Sequence, residues 1–145
     1  MRLVWVLHNA RAGRAGLVRR VDEAVEAVAR RGVTVQLVRD GDLAVLRQAA
    51  RAAVAAGADA VLVAGGDGTL GTLAGELAHT PTAFGALPAG TANVWAQAVG
   101  LPRTSLRHPH ALAQVALALL AAPTRLADLG QRQWPEVPGR GRAWG

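Results

Sequence analysis

Short apolar runs rich in Val, Leu and Ala alternate with helix-patterned stretches along this chain, and glycine-bearing loops punctuate them. That rhythm is the tightest constraint on the fold. Strand–helix–strand units feed a parallel sheet whose crossover helices cover its faces. Arg2–Leu7 (RLVWVL) reads as a buried strand, followed by a loop over His8–Gly16 (HNARAGRAG). Leu17, Val21, Val25 and Val28 then recur at helical spacing, with Arg19, Arg20, Asp22, Glu23, Glu26 and Arg30 off that face and Gly32 as the stop. Val33–Val38 (VTVQLV) alternates as a second strand. Asp42 is placed to cap a helix running to Ala56, which stops at Gly57. Ala60–Ala64 (AVLVA) is a third strand, continuously apolar as a strand covered on both faces is.

The third strand runs into a loop, Gly65-Gly66-Asp67-Gly68-Thr69, after which a helix is predicted to Ala78, a break at Pro81, and a fourth strand over Ala83–Leu87. Pro88-Ala89-Gly90-Thr91 opens a helix through Val99, and a loop covers Gly100–Pro109. His110–Ala122, apolar all round, is predicted as a buried helix. The expected fold is therefore α/β: a doubly wound, mainly parallel sheet with helices on both faces, occupying residues 1–130. Residues 131–145 have no periodicity and are predicted to form an irregular, disordered tail.

A chain of 145 residues is one ordinary domain. With no cysteine, a disulfide scaffold, a thiolate metal site and a cysteine nucleophile are excluded. All 16 basic residues are arginine, which also excludes a Schiff-base or phosphate-binding lysine. A net charge of +6 suits nucleic acid, an anionic surface or phosphate. The five aromatics (four Trp, one Phe), and arginines interleaved with Asp22, Glu23 and Glu26, argue against nucleic acid. Trp5 and Trp95 are expected in the core. The apolar stretch Ala111–Ala122 falls short of the ~20 residues a membrane span needs, so a cytoplasmic location is expected.

Ligands of open parallel sheets bind outside the carboxyl ends of the strands. Three glycine-bearing loops fall there: Asn9–Gly16, Gly65–Thr69 and Pro88–Asn93. Each opens a helix, whose unsatisfied N–H groups and positive dipole end favour an anion, above all phosphate. Five arginines and no acid in residues 1–20 make the edge electropositive. Arg11 and Arg14 read either as phosphate ligands or as solvated loop charges. Gly66 is expected at positive φ, where a branched side chain is poorly tolerated. Asp67, a carboxylate flanked by glycines and denied a helix face, is expected to organise phosphate or magnesium. Thr69 and Thr91 suit both capping and phosphate contact. The histidines lack metal-ligand spacing.

Ala64-Gly65-Gly66-Asp67-Gly68-Thr69-Leu70, paired with Leu87-Pro88-Ala89-Gly90-Thr91-Ala92-Asn93, resembles the catalytic domain of bacterial diacylglycerol kinase-like lipid kinases. That family is related to sphingosine kinases and, more distantly, to NAD kinases and phosphofructokinases. Asn9-Ala10-Arg11-Ala12-Gly13 is similar to the family's opening Asn-Pro-x-x-Gly loop, with alanine in place of proline. The resemblance implies ATP phosphates on Gly65, Gly66, Asp67, Gly68 and Thr69. Asn9, Arg11, Gly13, Gly90, Thr91 and Asn93 would complete the nucleotide site, with Asp67 serving Mg2+. The γ-phosphoryl group would pass to a lipid hydroxyl at the membrane surface. The chain departs from the family pattern at Gly71, Thr72 and Val94, and at Arg39 and Asp40, where the family has threonine. Leu126–Gly130 resembles the crossover strand into a β-sandwich domain carrying the lipid site and the catalytic base; that domain is absent from this sequence. A non-catalytic nucleotide-binding fragment is the alternative, and NAD kinase the next.

Overall fold

The computed structural model describes residues 1–13, 16–89, 94, 108 and 110–129. Four strands, β1 (Leu3–Asn9), β2 (Thr34–Asp40), β3 (Ala60–Gly65) and β4 (Ala83–Pro88), form one sheet in the order β2-β1-β3-β4. Every pairing is parallel. The helices are α1 (Leu17–Ala29), α2 (Leu43–Ala55), α3 (Asp67–Leu77) and α4 (Ala111–Ala121). This is the doubly wound arrangement that the alternating pattern demands.

Side-chain alternation along the strands sorts the core into two layers. Val4, Val6, Ala60, Leu62, Ala64 and Leu87 face α1 and α4, where Val21, Val28, Leu112 and Val115 meet them. Leu7, Val61, Val63 and Ala86 face α2 and α3, against Leu46, Ala50, Leu70 and Leu73. Truncating a fully buried leucine such as Leu46 or Leu73 to alanine costs about 2–5 kcal/mol. Gly85 lets α4 lie close to the sheet, since a Cβ there would stand 2.5 Å from Leu62 and 3.2 Å from Leu119.

Several expected boundaries shift. β1 continues through Asn9 and β2 through Asp40, because the pairing carries on as His8↔Arg39 and Asn9↔Asp40. Local sequence shows no apolar reason for this; the partner strand supplies it. Asp42 caps α2 as expected, its Oδ1 accepting the Ala44 N–H at 2.8 Å. Asp67 does have a helix position, contrary to expectation: it is the first residue of α3. α4 is not buried all round. Leu112, Val115 and Ala116 pack inward, while Gln114 and Ala118 are exposed. Trp5 is only partly buried, packed against the α2/α3 layer. Residues 123–129 are exposed and carry no regular structure, so the crossover strand expected from Leu126 is not seen over its described part. The helix expected from Pro88 to Val99 and the tail 131–145 fall largely or wholly outside the described residues.

Candidate functional site

The carboxyl edge of the sheet gathers polar groups that the strands alone do not account for. β1 ends at Asn9, whose side chain lies on the α3 side, and its Nδ2 donates to Thr69 Oγ1 at 2.8 Å. Asn9 Oδ1 accepts the Arg11 N–H at 3.0 Å, a local turn that bends the chain out of the strand. The loop is also tied to β2, because the Ala10 N–H donates to the Asp40 carbonyl at 2.9 Å. Thr69 is itself buried, in the first turn of α3.

Gly65 and Gly66 do different jobs. Gly66 has φ −81°, an ordinary extended value, and a Cβ on it would meet nothing within 4 Å. The expected positive φ is therefore wrong. Gly65 is the glycine that the geometry requires: a Cβ there would sit 2.8 Å from both Cβ and Cγ2 of Thr69. Its absence lets β3 run directly under the first turn of α3. Gly66 precedes α3 without a side-chain cap, unlike Asp42 before α2. Gly66 thus offers the first amides of α3 no side-chain cap at the sheet edge, the arrangement that suits an anion.

Asp67 adds a carboxylate to this turn, and its Oδ2 accepts the Val94 N–H at 3.3 Å. Gly13 brings the first loop to the end of the fourth strand. It has φ +90°, and a Cβ would stand 2.8 Å from the Ala89 carbonyl and overlap Leu17. Asn9, Gly13, Gly65 and Thr69 are therefore brought together, with Asp67 and Gly68 at the start of α3. Arg11 joins through its backbone, while its side chain lies over Gly41 in the β2–α2 turn. Gly90, Thr91, Asn93 and Arg14 lie outside the described residues.

Most of the remaining carboxylates are engaged elsewhere. Asp59 accepts the backbone N–H groups of Arg2 and Leu3 at the opposite edge of the sheet. Those bonds, Leu3 foremost, hold its carboxyl below the usual range. Glu76 on α3 receives Arg47 and Arg51 from α2, both at 2.6 Å, and the Arg51 hydrogen bond is the main cause of its lowered pKa. Among the described residues no group of three His, Cys, Asp or Glu is placed to hold a metal ion. Asp67 is one carboxylate, which matches the way Mg2+ is usually held, by one or two carboxylates plus substrate phosphates and water.

Sequence reasoning missed one cluster. His8 is buried at the end of β1, and Arg39 Nε donates to its Nδ1 at 2.8 Å. Arg39 also makes a short hydrogen bond to Asp22 Oδ1 on α1. The period-two pattern held the clue, since His8 shares the inward face of Val4 and Val6.

The sheet and its turns define a class: a doubly wound α/β domain with a glycine turn and an uncapped helix at the carboxyl edge of its sheet. The diacylglycerol kinase catalytic domain family matches residues 3–131. The chain belongs to that family, a family of lipid kinases. It is 36% identical over 130 residues to a diacylglycerol kinase of Mycobacterium tuberculosis, covering 90% of this chain and 40% of that protein. A Pseudomonas fluorescens protein named as a probable YegS-like lipid kinase is 37% identical over 121 residues, covering 82% of this chain and 38% of its own length. A solved Bacillus anthracis chain assigned as a diacylglycerol kinase superposes with a TM-score of 0.67 at 19% identity, over 81% of this chain and 42% of that one. That last likeness speaks for the fold alone. The chain thus spans about two fifths of the length of these curated relatives. No helix among the described residues is long and apolar enough to cross a membrane.

Proposed function

We propose that this chain is the nucleotide-binding half of an ATP-dependent lipid kinase, which passes the γ-phosphoryl group to the hydroxyl of a diacylglycerol-like lipid. The observation that carries the reading is the junction of Asn9, Gly65 and Thr69 beside the uncapped start of α3. Gly65 lets Thr69 close down on the end of β3, and the helix start beside it, with no side-chain cap from Gly66, suits a phosphate chain. Gly65, Gly66, Gly68 and Thr69 would hold the phosphates, with Asn9 fixing Thr69 and Gly13 closing the first loop. By family resemblance Gly90, Thr91 and Asn93 complete the set. Asp67 is the residue to hold Mg2+, which when bound neutralises charge on the transferring group.

The acceptor side is a separate matter. Transfer needs a base within hydrogen-bond reach of the lipid hydroxyl, with that oxygen in line with the γ-phosphorus. Asp22, Asp59 and Glu76 are occupied by Arg39, by backbone amides and by the α2 arginines. Asp42 caps α2, and Asp40 accepts the Asp42 N–H. Glu23 and Glu26 pair with Arg19 and Arg30 on α1, and Asp128 lies on an exposed stretch without regular structure. By family resemblance the base belongs to the family's second, β-sandwich domain, and this chain by itself is expected to bind nucleotide while turning over slowly or not at all. Lipid access at a membrane surface belongs to the same proposal.

Titration calorimetry with Mg·ADP tests the nucleotide half, where saturable one-to-one binding is expected. Radiolabelled ATP with diacylglycerol tests the acceptor half. Turnover by this chain at the ~1–100 per second of typical kinases would overturn the assignment of the base.

A further inference from the structure

His8 is a buried imidazole one residue before Asn9, and its role is not absorbed by phosphate binding. A guanidinium has no acceptor, so the 2.8 Å contact from Arg39 Nε fixes His8 Nδ1 as a lone pair and His8 as neutral. Arg39 in turn reaches Asp22 on α1 and, at 3.5 Å, the Val18 carbonyl. Among the described residues, the charged groups acting on His8 are Arg39 from β2 and Asp22 from α1; its neighbour on β3 is Ala64. The Arg39 guanidinium therefore joins three elements, and its bond to β1 rests on a single acceptor atom, His8 Nδ1.

That atom disappears on protonation. A proton on Nδ1 replaces the acceptor with a donor and sets two cations against each other where the imidazole is shielded from water. The pair His8↔Arg39 is followed directly by Asn9↔Asp40, the last rung of the β1–β2 ladder. Asp40 then holds the loop through Ala10, and Asn9 holds Thr69. We propose that His8 makes the nucleotide-binding edge acid-sensitive: protonated His8 releases Arg39, loosens the end of β1, and weakens the seat that Asn9 gives Thr69. The inference rests on the nucleotide reading above.

Burial first, and the Arg39 charge second, hold the His8 pKa below its ordinary value, with Asp22 opposing in part. Because the folded pKa is the lower one, the unfolded chain binds more protons between that value and about 6.5. Stability is therefore lost as the pH falls through that window. Linkage is reciprocal, so if protonation weakens nucleotide binding, bound nucleotide must lower the His8 pKa further.

The test follows the imidazole by NMR, with and without Mg·ADP, alongside calorimetry at pH 5.5–8. The His8 signal is identified by its loss in His8→Asn, whose side-chain oxygen replaces the acceptor and cannot titrate. Mg·ADP is expected to move the His8 titration to lower pH. The affinity of the unaltered chain is expected to fall on acidification more than that of His8→Asn, by up to about tenfold per pH unit for one linked proton. The nucleotide's own phosphate titration is common to both proteins and cancels in the comparison. Binding at pH 8 with an unmoved His8 titration, or equal pH dependence in the two proteins, overturns this inference alone. No binding of Mg·ADP at pH 8 overturns the nucleotide reading and the inference with it.

Discussion

Asp59 stands just before β3 and Asp67 two residues after it, at opposite edges of one sheet. At the amino edge Asp59 accepts the backbone amides of Arg2 and Leu3, where β1 begins, at 2.6 and 2.9 Å, and so fastens the first strand beside the third. Its partners are set by the sheet. At the carboxyl edge Asp67 opens a helix that has no side-chain cap and accepts the amide of Val94, far along the chain. The same residue type serves pairing at one edge and a cleft at the other. The difference follows from the parallel sheet: helices begin at its carboxyl edge, so their free amides collect there and nowhere else.

Gly65→Val attacks the carboxyl edge most directly. The new side chain collides with Thr69, and we expect a stability loss of about 1–3 kcal/mol from overpacking, together with loss of Mg·ADP binding. Gly66→Ala is its control: nothing stands near the added methyl, so a cost of no more than about 1 kcal/mol is expected at this cap position. Denaturant unfolding and calorimetry on both variants would show whether the two neighbouring glycines differ as the geometry says. Equal effects would mean that the Thr69 contact is not what excludes a side chain at position 65.

Asp67→Asn is expected to remove most of the magnesium dependence of nucleotide binding and to cost only about 0.3–1 kcal/mol of stability, through the lost charge at the start of α3. Calorimetry with ADP in the presence of Mg2+ or of chelator reads the first effect. An unchanged magnesium dependence would take Asp67 out of the site.

Asp59→Asn is the mirror test, with the smallest effect on binding. Its folded pKa is lowered, so its stabilisation is fully present above the unfolded carboxylate pKa and is lost as pH falls through the folded value. The variant should therefore be less stable than the parent at pH 7 and converge with it in acid, while Mg·ADP affinity at pH 7 stays the same. A large change in affinity would show that the two edges are coupled more tightly than the hydrogen bonds imply.

The periodicity of Leu17, Val21, Val25 and Val28, the continuous run Ala60–Ala64 and the Asp42 cap were all legible, because each is decided by neighbours within a turn or two. That local information determined the order of elements and the doubly wound class. GGDGT and the Asn9 loop were legible as candidate site segments for the same reason. The ends of β1 and β2 were not, since His8, Asn9, Arg39 and Asp40 join the sheet only because each lies opposite another. Nor could composition tell Gly65 from Gly66. The distinction comes from Thr69 folding back over the strand, and the bond from Asn9 to Thr69 spans 60 positions of sequence. The cluster His8–Arg39–Asp22 has the same origin: one guanidinium donates to a buried imidazole and to a carboxylate once β1, β2 and α1 are packed. Local pattern sets which elements form. Which polar groups meet at the carboxyl edge, shielded from water, is set only when strands distant in sequence become neighbours.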